Sequence, residues 1–330
     1  SLRDVVAAFA TYTLRNVFPL QEHSFADAAR NRFGDRLFEL FFQGYTQKVW
    51  GIPCDELSAE FLDLRLQRVS LKNVVLHALR RRKHVTSFTD TFLYPLCGIG
   101  ELSCRLSQGI DVRLRHEVTG FACRSKRIEA VIRDGKDEIP CAQVVSTMPI
   151  TQLVALLQAP KDVLGAAHAL RYRSLICVFL ELDRASYTDD HWIYFPHDQI
   201  FGRLHEPKNW SKAMAPADKT GVCVEIFCDR DDAMWKKDDI QIAHEVISEL
   251  PLLKRFEVLS HMVKRVDYAY PIYTADYRVY LDRVKAFLAS YENLFLVGRT
   301  GSFKYSNMDV CISEGLQLGE RLLHLGWAKD

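Results

Sequence analysis

The sequence predicts a mixed fold of the α/β (α+β) class, and three observations carry that expectation. Residues 2–83 read as mainly helical. From Ser174 onward, longer apolar runs alternate with turns rich in Asp, Pro and Lys, the pattern of a mainly antiparallel sheet. Near the end, Leu294-Phe295-Leu296-Val297 leads through a glycine-rich turn into residues 309–325, where apolar side chains recur at helical spacing.

Taken in order, Ser24-Phe25-Ala26-Asp27 fits a capping box that opens a short helix, which Gly34 closes. Residues 71–79 suit a helix, and Arg80-Arg81-Arg82-Lys83-His84 at its end complements the helix dipole better than it marks a polyanion site. Residues 85–150 read as short strands around one helix at 98–107, with strands at 127–133 and 139–146. Residues 151–169 are helical. Strands follow at 175–182, 192–195, 202–205 and 221–228, then a helix at 239–250 and a strand at 261–268. Tyr270-Pro271-Ile272-Tyr273 reads as a bend, and 277–288 as a helix.

Composition limits the function classes. The chain has 330 residues, 48% hydrophobic and 26% charged, enough for two cores. Lys+Arg 43 against Asp+Glu 42 gives a net charge of +1, which offers no electrostatic footprint for nucleic acid. The nine cysteines form no Cys-x-x-Cys pair and read as reduced residues of a cytoplasmic protein. Cys223 and Cys228 are five apart in one expected strand and so face opposite ways, while His84, His116 and His261 are isolated; no metal site is expected. No apolar run reaches the length of a membrane span, and a membrane partner is not expected.

The most informative stretch is Gly298-Arg299-Thr300-Gly301-Ser302-Phe303-Lys304-Tyr305-Ser306-Asn307-Met308-Asp309. A turn of this kind aims the unpaired amides of a helix start outward, where an anionic or electron-rich group is favoured. A second stretch, Phe41-Phe42-Gln43-Gly44-Tyr45-Thr46-Gln47-Lys48-Val49-Trp50-Gly51, presents flat aromatic faces with one polar atom each. It suits stacking on a ring-shaped ligand, and taken by itself it suits an aromatic packing corner better. Between them lie Tyr94-Pro95-Leu96-Cys97-Gly98-Ile99-Gly100-Glu101-Leu102, then Ile110-Asp111-Val112-Arg113-Leu114 and Glu117-Val118, then Ser146-Thr147-Met148-Pro149.

In this order the segments resemble the FAD-dependent amine-oxidase superfamily, notably its protoporphyrinogen oxidase-like and UDP-galactopyranose mutase-like branches. The resemblance implies FAD as cofactor, a discontinuous FAD/NAD(P)-binding domain, a substrate domain built on the antiparallel sheet, a helical region, and a small-molecule substrate. It implies a strand at 110–114 leading to Val118 beside the adenine. Cofactor contacts carry over to Val118, Gly298, Arg299, Asn307, Met308 and Asp309, and substrate contacts to Tyr45, Trp50 and Tyr305. Tyr94, Tyr270 and Tyr273 are further candidate wall residues, and no residue stands out as a catalytic acid or base. The expected divisions are 1–84 helical, 85–150 middle flavin segment, 151–290 substrate domain and 291–330 final flavin segment.

Complete members open with a strand, Gly-x-Gly-x-x-Gly and a helix, a run this sequence does not contain. The expectation is a fragment lacking that unit, with a weakened hold on FAD. Three readings stay open: hydride transfer from an organic substrate to the flavin, redox-neutral rearrangement of a sugar nucleotide, or a non-catalytic fragment whose flavin site is incomplete. Asn307 stands where the mutases carry Asp, and Lys72 where an arginine is expected after Arg68-Val69, which favours the oxidoreductase because lysine does not reproduce a bidentate guanidinium clamp.

Overall fold

A computed structural model describes residues 2–66, 92–250 and 258–324. The expected helix at 71–79, the basic cluster at 80–84, and Arg68, Val69 and Lys72 lie outside the described residues. The chain forms two compact units, one of Ser1–Ile110 with Arg173–Asp267, the other of Asp111–Tyr172 with Tyr268–Asp330.

The first unit begins with the helices Leu2–Val17 and Phe25–Phe33. The second has the expected capping box: Ser24 Oγ accepts from Asp27 N–H at 3.2 Å, and Asp27 Oδ2 accepts from Ser24 N–H at 3.1 Å. Gly34 closes it, its N–H reaching the Arg30 carbonyl at 2.7 Å. A π-helical turn, Phe38–Gln43, then runs into the helix Gly44–Trp50. Such wide turns are uncommon and recur at functional sites.

Among the described residues, the sheet of this unit has five strands in the spatial order Ile193–Tyr194, Arg203–His205, Thr220–Cys228, Arg171–Leu182, Val258–Ile272. Its first three pairings are antiparallel, in the register Ile193 with Leu204, Leu204 with Val224, and Val178 with Val224. Alternation sends Ile176, Val178, Leu180, Val222, Val224 and Ile226 to one face, where they pack with Ile242, Ala243 and Val246 of the helix Asp239–Glu249 in one core cluster. The opposite face carries Cys177, Cys223, Glu225, Arg203 and His205.

In the second unit, Val118–Arg124, Arg127–Arg133 and Asp137–Pro140 form an antiparallel sheet, and Val144–Ser146 pairs in parallel with Leu294–Leu296. Asn293, fully buried, joins the two sheets. Its Oδ1 accepts from Ile128 N–H at 2.9 Å, and its Nδ2 donates to the Ile128 and Ala142 carbonyls at 2.8 and 2.9 Å. The helices Lys161–Ala169 and Tyr277–Ala289 pack against each other.

Three expectations are corrected. The strand expected at 110–114 is irregular, because among the described residues no neighbouring strand receives its backbone groups. The strand expected at 139–146 divides at Pro140, since its two halves pair with different sheets. Tyr270-Pro271-Ile272 continues the strand Val258–Ile272 instead of bending; among the described residues that strand lies at the sheet's edge, where a proline's missing N–H costs least.

Candidate functional site

The second unit gathers most of the predicted cofactor residues around one sheet end. After Leu294–Leu296 the chain turns at Gly298, whose φ of 78° is a left-handed conformation that a side chain resists. A Cβ there would meet nothing within 4 Å among the described residues, so the backbone is open to an approaching ligand. Gly301 is demanded by close approach: a Cβ would stand 2.7 Å from the Ser146 carbonyl oxygen and 3.1 Å from Thr147 Cα. Thr300 Oγ1 donates to the Thr147 carbonyl at 2.8 Å, fixing the turn to the end of Val144–Ser146.

The rest of the turn is held by aromatics. Phe303 is buried against Tyr172, with ring centroids 5.0 Å apart, and the Tyr172 hydroxyl donates to the Thr300 carbonyl at 2.9 Å. Burial pushes the Tyr172 phenol upward, so it stays a donor. Tyr273 OH accepts from Tyr305 N–H at 2.8 Å. Arg299 donates to the Ser306 and Ala269 carbonyls at 2.8 and 3.2 Å and lies 5.0 and 5.4 Å from the ring centres of Tyr270 and Tyr305. Those rings stack at 6.0 Å. Arg299 and Tyr305 therefore brace the turn. Asn307, Met308 and Asp309 are exposed where the helix Met308–His324 begins.

Val118 lies in a cavity of about 370 Å³ with Phe121, Val131 and residues 143–148. Gln143 Nε2 and Ser146 Oγ are buried here with no hydrogen-bond partner among the described residues. Val118 and the Val144–Ser146 strand thus line one cavity, and the Gly298 turn is seated on the end of the same strand. An apolar slot with orphaned polar atoms, an open glycine and an exposed helix start supplies part of the donor set that suits a flavin nucleotide, without the Gly-x-Gly-x-x-Gly cradle.

The first unit holds the aromatic stretch. Tyr45, Trp50, Phe25, Phe41, Phe42, Phe61 and Tyr194 line a cavity of about 220 Å³. Trp50 is buried, edge-on to Phe61 at 4.5 Å, whereas Tyr45 is half-buried and meets Tyr194 at 5.4 Å. Trp50 is a packing corner and also forms part of the cavity wall. Tyr45 and Trp50 belong to this cavity, and Tyr305 to the turn of the second unit.

Other residues of the stretch hold the frame. Lys48 Nζ donates to the Phe195, Gln199 and Phe201 carbonyls at 2.8, 2.9 and 3.3 Å and also to that of His197, fixing the loop between Tyr194 and Arg203. Desolvation lowers its ammonium below the usual lysine range. Arg173 donates to the Val49, Lys48 and Phe227 carbonyls at 3.0, 3.2 and 3.0 Å and pairs with Asp229 at 2.8 Å.

Sequence reading missed the cluster on the second face of the five-stranded sheet. Glu225, buried, pairs with Arg203, whose Nε donates to it at 3.0 Å, and stands 3.5 Å from His205 Nδ1. Burial raises the Glu225 carboxyl, but the His205 contact and the Arg203 charge outweigh it and hold it below the usual carboxylate range. A buried Glu at alternating spacing in a strand was the available signal.

A profile of the flavin containing amine oxidoreductases matches residues 1–323. The chain belongs to that family. Its cofactor is FAD and its class of function that of an FAD-dependent oxidoreductase. Its fold is similar to that of reduced UDP-galactopyranose mutase, at TM-score 0.83 and 17% identity over 98% of this chain and 72% of that one. A putative protoporphyrinogen oxidase from Exiguobacterium sp. 255-15 aligns at TM-score 0.72 and 17% identity, over 98% and 72%. Putrescine oxidase bound to putrescine aligns at 0.61 and 12%, over 98% and 76%. At these identities the likeness is one of fold. No curated protein sequence matches the chain. Among the described residues no helix is long and apolar enough to cross a membrane.

Proposed function

We propose that this chain takes part in hydride transfer from a small organic molecule to FAD, with the flavin nucleotide held at the Gly298 turn and the Val118 cavity. FAD supplies the two-electron acceptor; the protein's part is to position the reacting groups and exclude water. Gly298 admits the nucleotide to the backbone, Gly301 and Thr300 hold the turn on the strand, and Arg299 keeps Tyr270 and Tyr305 stacked. Asn307 and the amides beginning at Met308 face outward, suited to an electron-rich group, and Ser146 Oγ and Gln143 Nε2 offer the nucleotide a hydrogen-bond pair. The single observation that carries the reading is the open, left-handed Gly298 beside a turn fully braced on its other side.

Two described arginines of the first unit, Arg173 and Arg203, speak against the sugar-nucleotide rearrangement. A diphosphate clamp needs guanidinium groups facing the ligand, whereas Arg173 binds three carbonyls and Asp229, and Arg203 binds the buried Glu225. The test is anaerobic mixing of the FAD-loaded protein with primary amines, diamines and a porphyrinogen, following flavin absorbance. Bleaching by one class supports hydride transfer. A protein that is inert to all of them, but converts UDP-galactose once its flavin is chemically reduced, overturns it.

A further inference from the structure

Two cysteines share the face of the five-stranded sheet that lies opposite the core cluster. In the antiparallel register Cys177 stands across from Glu225 and Cys223 across from Phe179, so the two cysteines are diagonal neighbours on adjacent strands. Diagonal side chains of a sheet come within reach of each other. Both are free thiols, and the Cys223 S–H donates to the Cys177 sulfur. We propose that Cys177 and Cys223 form a reversible, peroxide-sensitive dithiol, in which Cys177 is the attacking sulfur and Cys223 the resolving one. The proposal is independent of where FAD binds.

The surroundings separate this pair from cysteines that only fill space. His205 lies across from Cys223 on the next strand, and Arg203 across from Glu225. Arg203 donates to Glu225 at 3.0 Å and lies 4.4 Å from the ring centre of Trp192, so charged groups collect around the two sulfurs. The hydrogen bond from Cys223 lowers the Cys177 thiol below the usual cysteine range, and the Arg203 charge acts in the same direction against burial and Glu225. Cys54, Cys123, Cys141 and Cys228 are instead pushed up by burial. Cys223 is raised by the same hydrogen bond and by burial, which keeps the proton on it. Cys177 is half-buried and Cys223 buried, so a small oxidant meets Cys177 first. A metal ion is a poorer occupant: among the described residues no group of three or more His, Cys, Asp or Glu is arranged to hold one, and Arg203 already engages Glu225.

The chemistry balances with hydrogen peroxide as the oxidant. The Cys177 thiolate attacks one peroxide oxygen and the O–O bond breaks, leaving a sulfenic acid on Cys177; the departing hydroxide takes up the thiol proton as water. The Cys223 sulfur then attacks the Cys177 sulfur, and its proton leaves with the sulfenic hydroxyl as a second water. Two thiols and one peroxide thus give one disulfide and two waters. A diagonal pair is farther apart than a relaxed disulfide prefers, so the bridge is strained and returns to thiols in excess dithiothreitol.

The test treats the reduced full chain with hydrogen peroxide, caps the remaining thiols with N-ethylmaleimide after denaturation, and maps the peptides by mass spectrometry. A Cys177–Cys223 linked peptide, lighter by two hydrogens than the reduced pair, should form at least about three-fold faster than the exposed Cys97 or Cys104 is oxidised. Dithiothreitol added to the native chain before capping should abolish the link. Dimedone should label Cys177 in Cys223→Ala and should not label Cys223 in Cys177→Ala. Cys228→Ala, which alters a buried cysteine of the same strand in the core cluster, should leave the link unchanged. Thermal melts of each variant separate misfolding from lost reactivity, and the result on the parent chain needs no variant. Oxidation of Cys97 and Cys104 with no Cys177–Cys223 link, dimedone on Cys223 in place of Cys177, or a link that dithiothreitol leaves intact overturns the proposal.

Discussion

Replacing Gly301 by alanine places a methyl group 2.7 Å from the Ser146 carbonyl oxygen and 3.1 Å from Thr147 Cα. Both obstacles are backbone, so no rotamer change relieves the contact; either the turn lifts from the strand or the strand shifts. Lifting the turn strains the Thr300–Thr147 hydrogen bond and the Val297 N–H to Ser146 carbonyl bond. Overpacking against fixed atoms costs about 1–3 kcal/mol, and the two weakened bonds bring the expectation to the upper half of that range. In a unit of this size such a loss lowers Tm by roughly 5–10 °C. The control is Gly315→Ala, on the helix Met308–His324, where a Cβ meets nothing within 4 Å and helix propensity favours alanine by about 0.5–1 kcal/mol. Paired thermal and urea unfolding should show the first variant destabilised and the second neutral or stabilised. Equal behaviour of the two would refute the argument that the turn is seated directly on the strand end.

Other expectations follow from the same contacts. Asn293→Ala removes the side-chain partner of the buried Ile128 N–H and carbonyl and one of the two donors to the Ala142 carbonyl, and should cost about 2 kcal/mol, seen by denaturant unfolding; a loss under about 0.5 kcal/mol would contradict its joining role. Arg299→Lys should weaken FAD binding almost as much as Arg299→Ala, because a lysine does not brace two carbonyls and two rings together; full rescue by lysine would show that charge alone matters. Tyr45→Ala should impair substrate handling while sparing FAD affinity, and the reverse pattern in parallel titrations would reject its placement. A carboxylate depressed by folding, as Glu225 is, contributes stability that is present above its unfolded value and lost as pH falls through the folded one. Unfolding followed from about pH 6 down to about pH 3 should therefore show a steeper acid loss in the parent than in Glu225→Gln, and equal slopes would remove Glu225 from that account.

What the sequence made legible were features written in neighbouring residues. The Ser24–Asp27 capping box, the strand Leu294–Leu296 with its glycine turn, and the helix from Met308 all depend on local spacing, and each falls within a residue or two of expectation. Residues whose role is set by distant partners were not legible. Lys48 binds carbonyls nearly 150 positions away, Asn293 reaches Ile128 and Ala142, and Arg173 closes over Val49. No local pattern marks such a residue, because a long polar side chain in mid-strand or mid-helix looks the same whether solvated or clamped. The misread bend at Tyr270-Pro271 has a related cause: proline reports only that an N–H is missing, and the sheet order decides whether that matters. In the candidate site, motif position pointed to Gly298 and Val118, while the bracing role of Arg299 emerged only from its carbonyl and ring contacts.

The assignment of FAD to the Gly298 turn is tested most directly by titrating FAD with the chain and with Gly298→Val while following flavin fluorescence. Saturable quenching by the parent, with the midpoint at least about ten-fold higher for the variant at unchanged secondary structure, is the predicted result. Superimposable curves, or no quenching by the parent, would contradict it.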